Sequence, residues 1–122
     1  MSNLLTKTEL EIMEYLWSIN CETTAREIRN HFSNRNWSKQ AMSTFLKHLS
    51  QYGYIHIRKE SFTKYYYSPA ITAEEYNLMP AKNIIKDHYN GSYSNFILAL
   101  FDSKPISAEE MASLKERLSE LE

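Results

Sequence analysis

At four places along this chain where a helical pattern opens, a Thr or Ser is followed three positions later by a Glu, and an apolar-periodic run comes next. The four sites are Thr6-Lys7-Thr8-Glu9, Thr24-Ala25-Arg26-Glu27, Thr72-Ala73-Glu74-Glu75 and Ser107-Ala108-Glu109-Glu110. In such a capping box the hydroxyl accepts the amide hydrogen of the third helical residue, and the carboxylate reaches back to the cap amide. Two N–H groups that the helix leaves unpaired are then satisfied together. A chain punctuated in this way is committed to helices. Two Gly and three Pro leave little to interrupt them. The same scarcity excludes a Gly-rich phosphate loop, because Gly53 and Gly91 cannot build one.

The first helix runs from the Thr6 cap to Ile19, with Leu10, Ile12, Met13, Tyr15, Leu16, Trp17 and Ile19 apolar. These cover more than half the circumference, so it must be buried on more than one side. Asn20-Cys21-Glu22 is a turn. A short second helix follows, with Ala25, Ile28 and Phe32 as its stripe. Ser33-Asn34-Arg35-Asn36 is polar and turn-rich. The third helix starts at Ser38, a natural N-cap. Met42, Phe45, Leu46 and Leu49 recur at i, i+3, i+4 and i+7, the spacing of a core-facing stripe. Gly53 is suited to the left-handed residue that ends it.

The period then changes from 3.6 to 2. Tyr54 to Lys59 alternates as a half-buried strand does, Ser61-Phe62-Thr63 reads as a turn, and Lys64 to Ser68 reads as a return strand closed by Pro69. Beyond it the chain is helical again. A kink or break is expected at Pro80, a stop at Asn90-Gly91, a fifth helix marked by Tyr93, Phe96, Ile97, Leu100 and Phe101, a connector at Lys104-Pro105, and a sixth helix with Met111, Leu114, Leu118 and Leu121.

The third helix carries the functional signal. Opposite its apolar stripe lie Gln40, Thr44, Lys47 and Gln51, with Ser43 flanking and Lys39 in the first turn. No carboxylate occurs between Ser38 and Tyr52. Solvated helix faces usually mix signs. A face of cationic and neutral hydrogen-bonding side chains suits double-stranded DNA: Lys for phosphate or guanine, Gln for adenine, Thr for a hydroxyl contact or a thymine methyl. The order helix, helix, helix, hairpin is that of a winged helix-turn-helix, with Arg58, Lys59 and Lys64 near the tip of the wing. Charge supports the division weakly: residues 1–68 hold nine Lys/Arg and six Asp/Glu, residues 69–122 five and nine. The expected DNA-contacting set is Lys39, Gln40, Ser43, Thr44 and Lys47 in the major groove, with Thr24, Ser38 and Lys64 at phosphates. The alternative is a winged-helix protein-interaction module that never meets DNA.

No chemistry competes with this reading. His31, His48, His56 and His88 are scattered, and no i, i+4 pair suggests a metal site. Cys21, the single cysteine, permits no intramolecular disulfide. Glu74-Glu75 and Glu109-Glu110 fall in first helical turns, where the dipole favours acids. No nucleophile-base-orienter set is present. No enzyme, cofactor or metal is therefore expected. With no apolar run of about 18 residues and no signal-peptide core behind MSNLLTKTEL, a soluble cytoplasmic protein without membrane insertion is expected.

Trp17, Thr24-Ala25-x-Glu27-Ile28, Trp37-Ser38 ahead of the Thr44-containing helix, Gly53, and Tyr65-x-Tyr67-x-Pro69 followed by Glu74-Glu75-Tyr76 resemble the penicillinase repressor (BlaI/MecI-type) family, which also includes copper-responsive repressors. The resemblance runs from Leu5 to Leu121. It implies a bacterial, homodimeric transcriptional repressor in which residues 1–70 form a winged-helix domain binding a palindromic operator and residues 71–122 a helical dimerisation region. The apolar residues of that region, too few for a separate core, fit the implied interface: Ile84, Ile85, Phe96, Ile97, Leu100, Met111, Leu114, Leu118 and Leu121. An unidentified inducer or sensor protease is the further partner implied. The chain also departs from the pattern. Ala99-Leu100 stands where antibiotic-sensing members are cut at an Asn-Phe bond, and Asn95-Phe96 lies four residues early. No cysteine follows Cys21, so the copper-binding cluster is missing. The wing has no Gly at its tip.

Overall fold

The caps form where the sequence places them, two as complete boxes and two as one-way caps. In the computed structural model, which describes residues 5–103 and 106–121, the amide of Glu9 donates to Thr6 Oγ1 at 3.2 Å and that of Thr6 to Glu9 Oε1 at 3.0 Å. Thr72 and Glu75 repeat the exchange at 3.0 and 3.1 Å. Ser107 accepts from the Glu110 amide at 3.1 Å. Thr24 accepts from the Glu27 amide at 3.2 Å, but the Glu27 carboxylate turns aside to the Thr23 hydroxyl at 3.0 Å. That hydroxyl belongs to a residue only 1% exposed, and leaving it unpaired would cost about 1–3 kcal/mol.

The elements are α1 (Lys7–Ile19), α2 (Ala25–His31), a 3-10 turn (Ser33–Arg35), α3 (Lys39–Gln51), β1 (Ile55–Ser61), β2 (Lys64–Pro69), α4 (Ala73–His88), α5 (Tyr93–Ser103) and α6 (Ala108–Glu120). This is a mainly α protein with one antiparallel hairpin. The chain divides into two compact units, Met1–Met79 and Pro80–Glu122.

In the first unit Ile12, Met13 and Leu16 of α1 pack with Ile28 of α2, with Met42, Leu46 and Leu49 of α3, and with Tyr54, Ile55 and Tyr76. Trp17, Ile71 and Met79 pack against this core. The Trp17 indole donates to the Ile71 carbonyl at 2.8 Å, so the first turns of α4 belong to this core.

α3 ends as expected. The Gly53 amide donates to the Ser50 carbonyl at 3.0 Å and the Tyr54 amide to the Leu49 carbonyl at 2.9 Å, with Gly53 at φ 82°. These are the two bonds of a Schellman stop. They turn Tyr54 back into the core beside Leu49 and launch β1.

The hairpin differs from a half-buried strand. Of β1 only Ile55 is buried, because the ribbon projects past the core after its first residue. Ser61 pairs with Lys64, so Phe62-Thr63 alone make the turn, and a bulge between Lys59 and Ser61 accommodates Glu60. The ribbon's base is tied to the α1–α2 connection: Thr23 and Tyr67 exchange backbone bonds at 3.0 and 2.8 Å.

Pro80 brings no break; α4 continues from Ala73 to His88. The proline removes one donor from the ladder, and its fixed φ is compatible with a helix. Asn90 at φ 51° and Gly91 at φ 77° follow, and the Gly91 amide donates to the Ile85 carbonyl at 2.9 Å. The Lys104-Pro105 connector lies outside the described residues. In the second unit α5 and α6 bury no residue, while Ile85 of α4 is buried.

Candidate nucleic-acid interface

The amphipathic division of α3 is realised residue by residue. Met42, Leu46 and Leu49 are buried, whereas Lys39, Gln40, Ser43, Thr44, Lys47 and Gln51 are exposed. Ser38 caps the helix by accepting from the Ala41 amide at 3.0 Å. Thr44 donates to the Gln40 carbonyl at 3.0 Å, which fixes its hydroxyl hydrogen and leaves the oxygen able to accept. Among the described residues no carboxylate pairs with Lys39 or Lys47. Both charges remain available to an anion.

Two open grooves flank this face. One, of about 750 Å³, lies between α2 and α3 and is lined by Arg26, Arg29, Asn30, Lys39 and Ser43 among others. The other, of about 350 Å³, lies between α3 and the wing, where Ser43, Lys47 and Gln51 meet Ile57 and Tyr67. Arg29 donates from Nε to the Trp37 carbonyl at 3.3 Å, which fastens the connection that sets α3 against α2. Arg35 and Glu11 pair between that connection and α1. The Ser33–Ser38 segment is longer than a tight helix-turn-helix turn, and these contacts hold it in place.

Arg26 and Arg29 are cationic groups beside the face that sequence reasoning missed. With Asn30 they stand at i, i+3 and i+4 of α2, a polar stripe. The same 3.6-residue period that divides α3 places them on one face of α2, so their spacing was visible in the sequence.

The other expected residues have different surroundings. Thr24 is half-buried at the start of α2, with the Glu27 carboxylate 3.4 Å from its hydroxyl. Lys64 is exposed on the wing, but its ammonium is 3.5 Å from Glu60 and sits over the Tyr66 ring. Tyr66, and with it Glu60, holds the Lys64 pKa above its usual value. Arg58 is engaged more fully. Its guanidinium makes three contacts of 2.8–3.1 Å with the Glu22 carboxylate, lowering the Glu22 pKa and raising its own. Two of the three wing cations thus already face carboxylates.

Residues expected in an interface between copies divide by exposure. Ile84, Ile97, Leu100, Leu114, Leu118 and Leu121 are exposed, the last at 81%. Phe96 and Met111 are half-buried, and Ile85 is buried within the single chain. Leu98 and Tyr93 add exposed apolar surface that the sequence reading left out.

A helical core with a hairpin wing and an exposed, acid-free third helix defines a winged helix-turn-helix protein. A model of the penicillinase repressor family matches residues 5–120, and the chain belongs to that family. Its family and fold are those of DNA-binding transcriptional repressors, not of enzymes. The fold is similar to the solution structure of the DNA binding domain of the repressor BlaI, at 24% identity and a TM-score of 0.51, over 62% of this chain and 93% of that one. No curated protein matches the chain. Among the described residues no helix is long and apolar enough to cross a membrane.

Proposed function

We propose that the protein acts as a cytoplasmic homodimer on a palindromic operator. Each copy lays α3 in a major groove, where Lys39, Gln40, Ser43, Thr44 and Lys47 meet base edges and phosphates. Thr24 and Ser38 meet the backbone from the helix starts, and Lys64 meets it from the wing. Residues 1–70 form the reading head. Residues 71–122 join the copies through the exposed residues Ile84, Ile97, Leu100, Leu114, Leu118 and Leu121, with Phe96 and Met111 beside them. The first turns of α4 complete the core of the head.

The observation that carries the reading is the α3 face: its exposed side chains are cationic or neutral donors and acceptors, with no acid to repel phosphate. Selection of random duplexes by the full-length protein tests it. The expected winners hold two inverted half-sites about 34 Å apart or a multiple of that. Asymmetric winners would remove the dimer, and no winners would remove DNA binding. In Lys47→Ala, a lost phosphate contact weakens binding to all duplexes and flattens the salt dependence. A lost guanine contact costs about 1–3 kcal/mol at one base pair. An unchanged mobility shift removes Lys47 from the interface.

Release from the operator needs a separate signal. Asn95-Phe96 and Ala99-Leu100 both lie within α5, so a sensor protease would have to unwind that helix before cutting either bond.

A further inference from the structure

The alternation of the hairpin, which does not produce half-burial, produces two chemically different faces. On one, Arg58, Tyr66, Glu60 and Lys64 form a closed network. Arg58 sits 4.5 Å from the Tyr66 ring centre and is held by Glu22, and Glu60 pairs with Lys64. The positive charge of this face is balanced by its own carboxylates.

The other face begins with Ile57 and Tyr67, paired across the ribbon and both lining the groove that α3 shares with the wing. Period two carries the same face outward to the next pair, Lys59 and Tyr65. There the Lys59 ammonium lies 5.9 Å from the Tyr65 ring centre and 5.5 Å from that of Phe62. Among the described residues no carboxylate pairs with Lys59. Phe62, at the tip, is 86% exposed. Apart from the Lys59 contact, most of this ring faces water, and an exposed aromatic of this size favours burial against a partner.

We infer that Lys59, Phe62 and Tyr65 form a second DNA-contacting element, in which Phe62 enters the minor groove beside the half-site and Lys59 meets the flanking phosphate. The assignment rests on the DNA-binding reading above. Continuity is the first support, because the strip Lys47–Ile57–Lys59 runs from the α3 face to the tip without crossing a carboxylate. Charge is the second: the cation on this face is not already neutralised, and the tip beside it is apolar. Apolar wedges flanked by cations are how proteins enter the narrow minor groove and unstack a base step. Pre-organisation is the third. The Thr23–Tyr67 bridge and the Arg58–Glu22 fork hold the base and back of the ribbon, so little ordering remains to be done at binding.

The test uses the full-length protein, a duplex selected as above, and Phe62→Ala, Phe62→Leu and Lys59→Ala. The exposure of Phe62 means that Phe62→Ala should keep the thermal midpoint. It should weaken binding about tenfold, as loss of one stacked or buried aromatic contact does, with the salt slope unchanged. Phe62→Leu should recover part of the loss. Lys59→Ala should instead reduce the salt slope by about 0.9, the contribution of one phosphate. Hydroxyl-radical protection flanking each half-site should disappear in Phe62→Ala while protection over the half-site persists. Binding by Phe62→Ala within about twofold of the unchanged protein, or flanking protection that survives the change, overturns the assignment. Failure of the unchanged protein to bind any duplex overturns the parent reading together with this one. That outcome is recognised because it precedes any substitution.

Discussion

The two compact units of this protein treat apolar residues in opposite ways. In the first, α1, α2 and α3 send Ile12, Met13, Leu16, Ile28 and Leu49 to full burial. In the second, α5 and α6 bury none of theirs, and Leu118 stands 60% exposed. Composition does not separate the two, since both are rich in Leu, Ile and aromatic residues. The difference is one of closure. Three crossing helices and a hairpin base enclose a volume within one chain, whereas the helices of the second unit leave one side of each stripe in water. Exposed apolar residues in this number are what the proposed interface between copies would cover. The sealed unit is suited to holding a reading surface still, and the open one to being completed by another copy.

The sharpest way to break this comparison is to remove the same side chain from each unit. Leu16→Ala should destabilise the first unit by about 2–5 kcal/mol, as buried Leu truncations do. Leu118→Ala should leave that transition within about 0.5 kcal/mol. Both tryptophans, Trp17 and Trp37, lie in the first unit, so urea unfolding followed by tryptophan fluorescence reads that unit alone. Equal losses would mean that the two units unfold as one and that the separation drawn between them is wrong.

A charge on the open stripe tests its completion. Leu118→Lys should weaken self-association by about 3 kcal/mol, roughly a hundredfold, because an unpaired ammonium is then buried at the interface. Sedimentation equilibrium reads the shift toward monomer. The unfolding transition of the first unit should not move. Unaltered association would exclude α6 from the interface.

Much of this was written in local patterns. The caps, the stop at Gly53, the α3 division and the hairpin all follow from neighbours a few residues apart, which a linear sequence displays directly. Three things were not legible. At Pro80 a kink or break was expected; the break does not occur, because local propensity does not register the turns that hold on either side. The β1 alternation was taken for half-burial, because period two reports that a ribbon has two faces and not what each face meets. The engagement of Arg58 by Glu22, 36 residues away, depends on the fold bringing the α1–α2 turn against the wing. The pairing leaves Lys59 as the unbalanced cation of the hairpin among the described residues.

The end of α3 gives a smaller and cleaner measure of the first unit. A Cβ on Gly53 would meet nothing within 4 Å, but the residue sits at φ 82°. Gly53→Ala should therefore cost about 1–2 kcal/mol of backbone strain and no packing. Chemical denaturation with an unchanged m-value would show that. A loss well above this range would mean that the Tyr54 side chain has left the core as well, and the seal of the unit would then depend on this turn.

The smallest effect lies on the balanced face of the wing. Glu22 is held below its ordinary pKa of 4.5, first by its hydrogen bonds with Arg58. A carboxylate whose folded pKa is depressed contributes stability above its unfolded value and loses it as the pH falls through the lowered one. The Arg58–Glu22 fork should thus be fully present at neutral pH and should open only below pH 4.5. Both partners are exposed to solvent, so the effect on global unfolding should be slight. The local readout is hydrogen exchange at the Tyr67 amide, which bonds to Thr23 at the base of the same ribbon. Its protection should fall on acidification in the natural sequence. In Glu22→Gln it should already be reduced at neutral pH, with the acid-dependent step gone. Persistence of the step in that variant would place the titrating group elsewhere, and the wing would then owe its orientation to the Thr23–Tyr67 bridge alone.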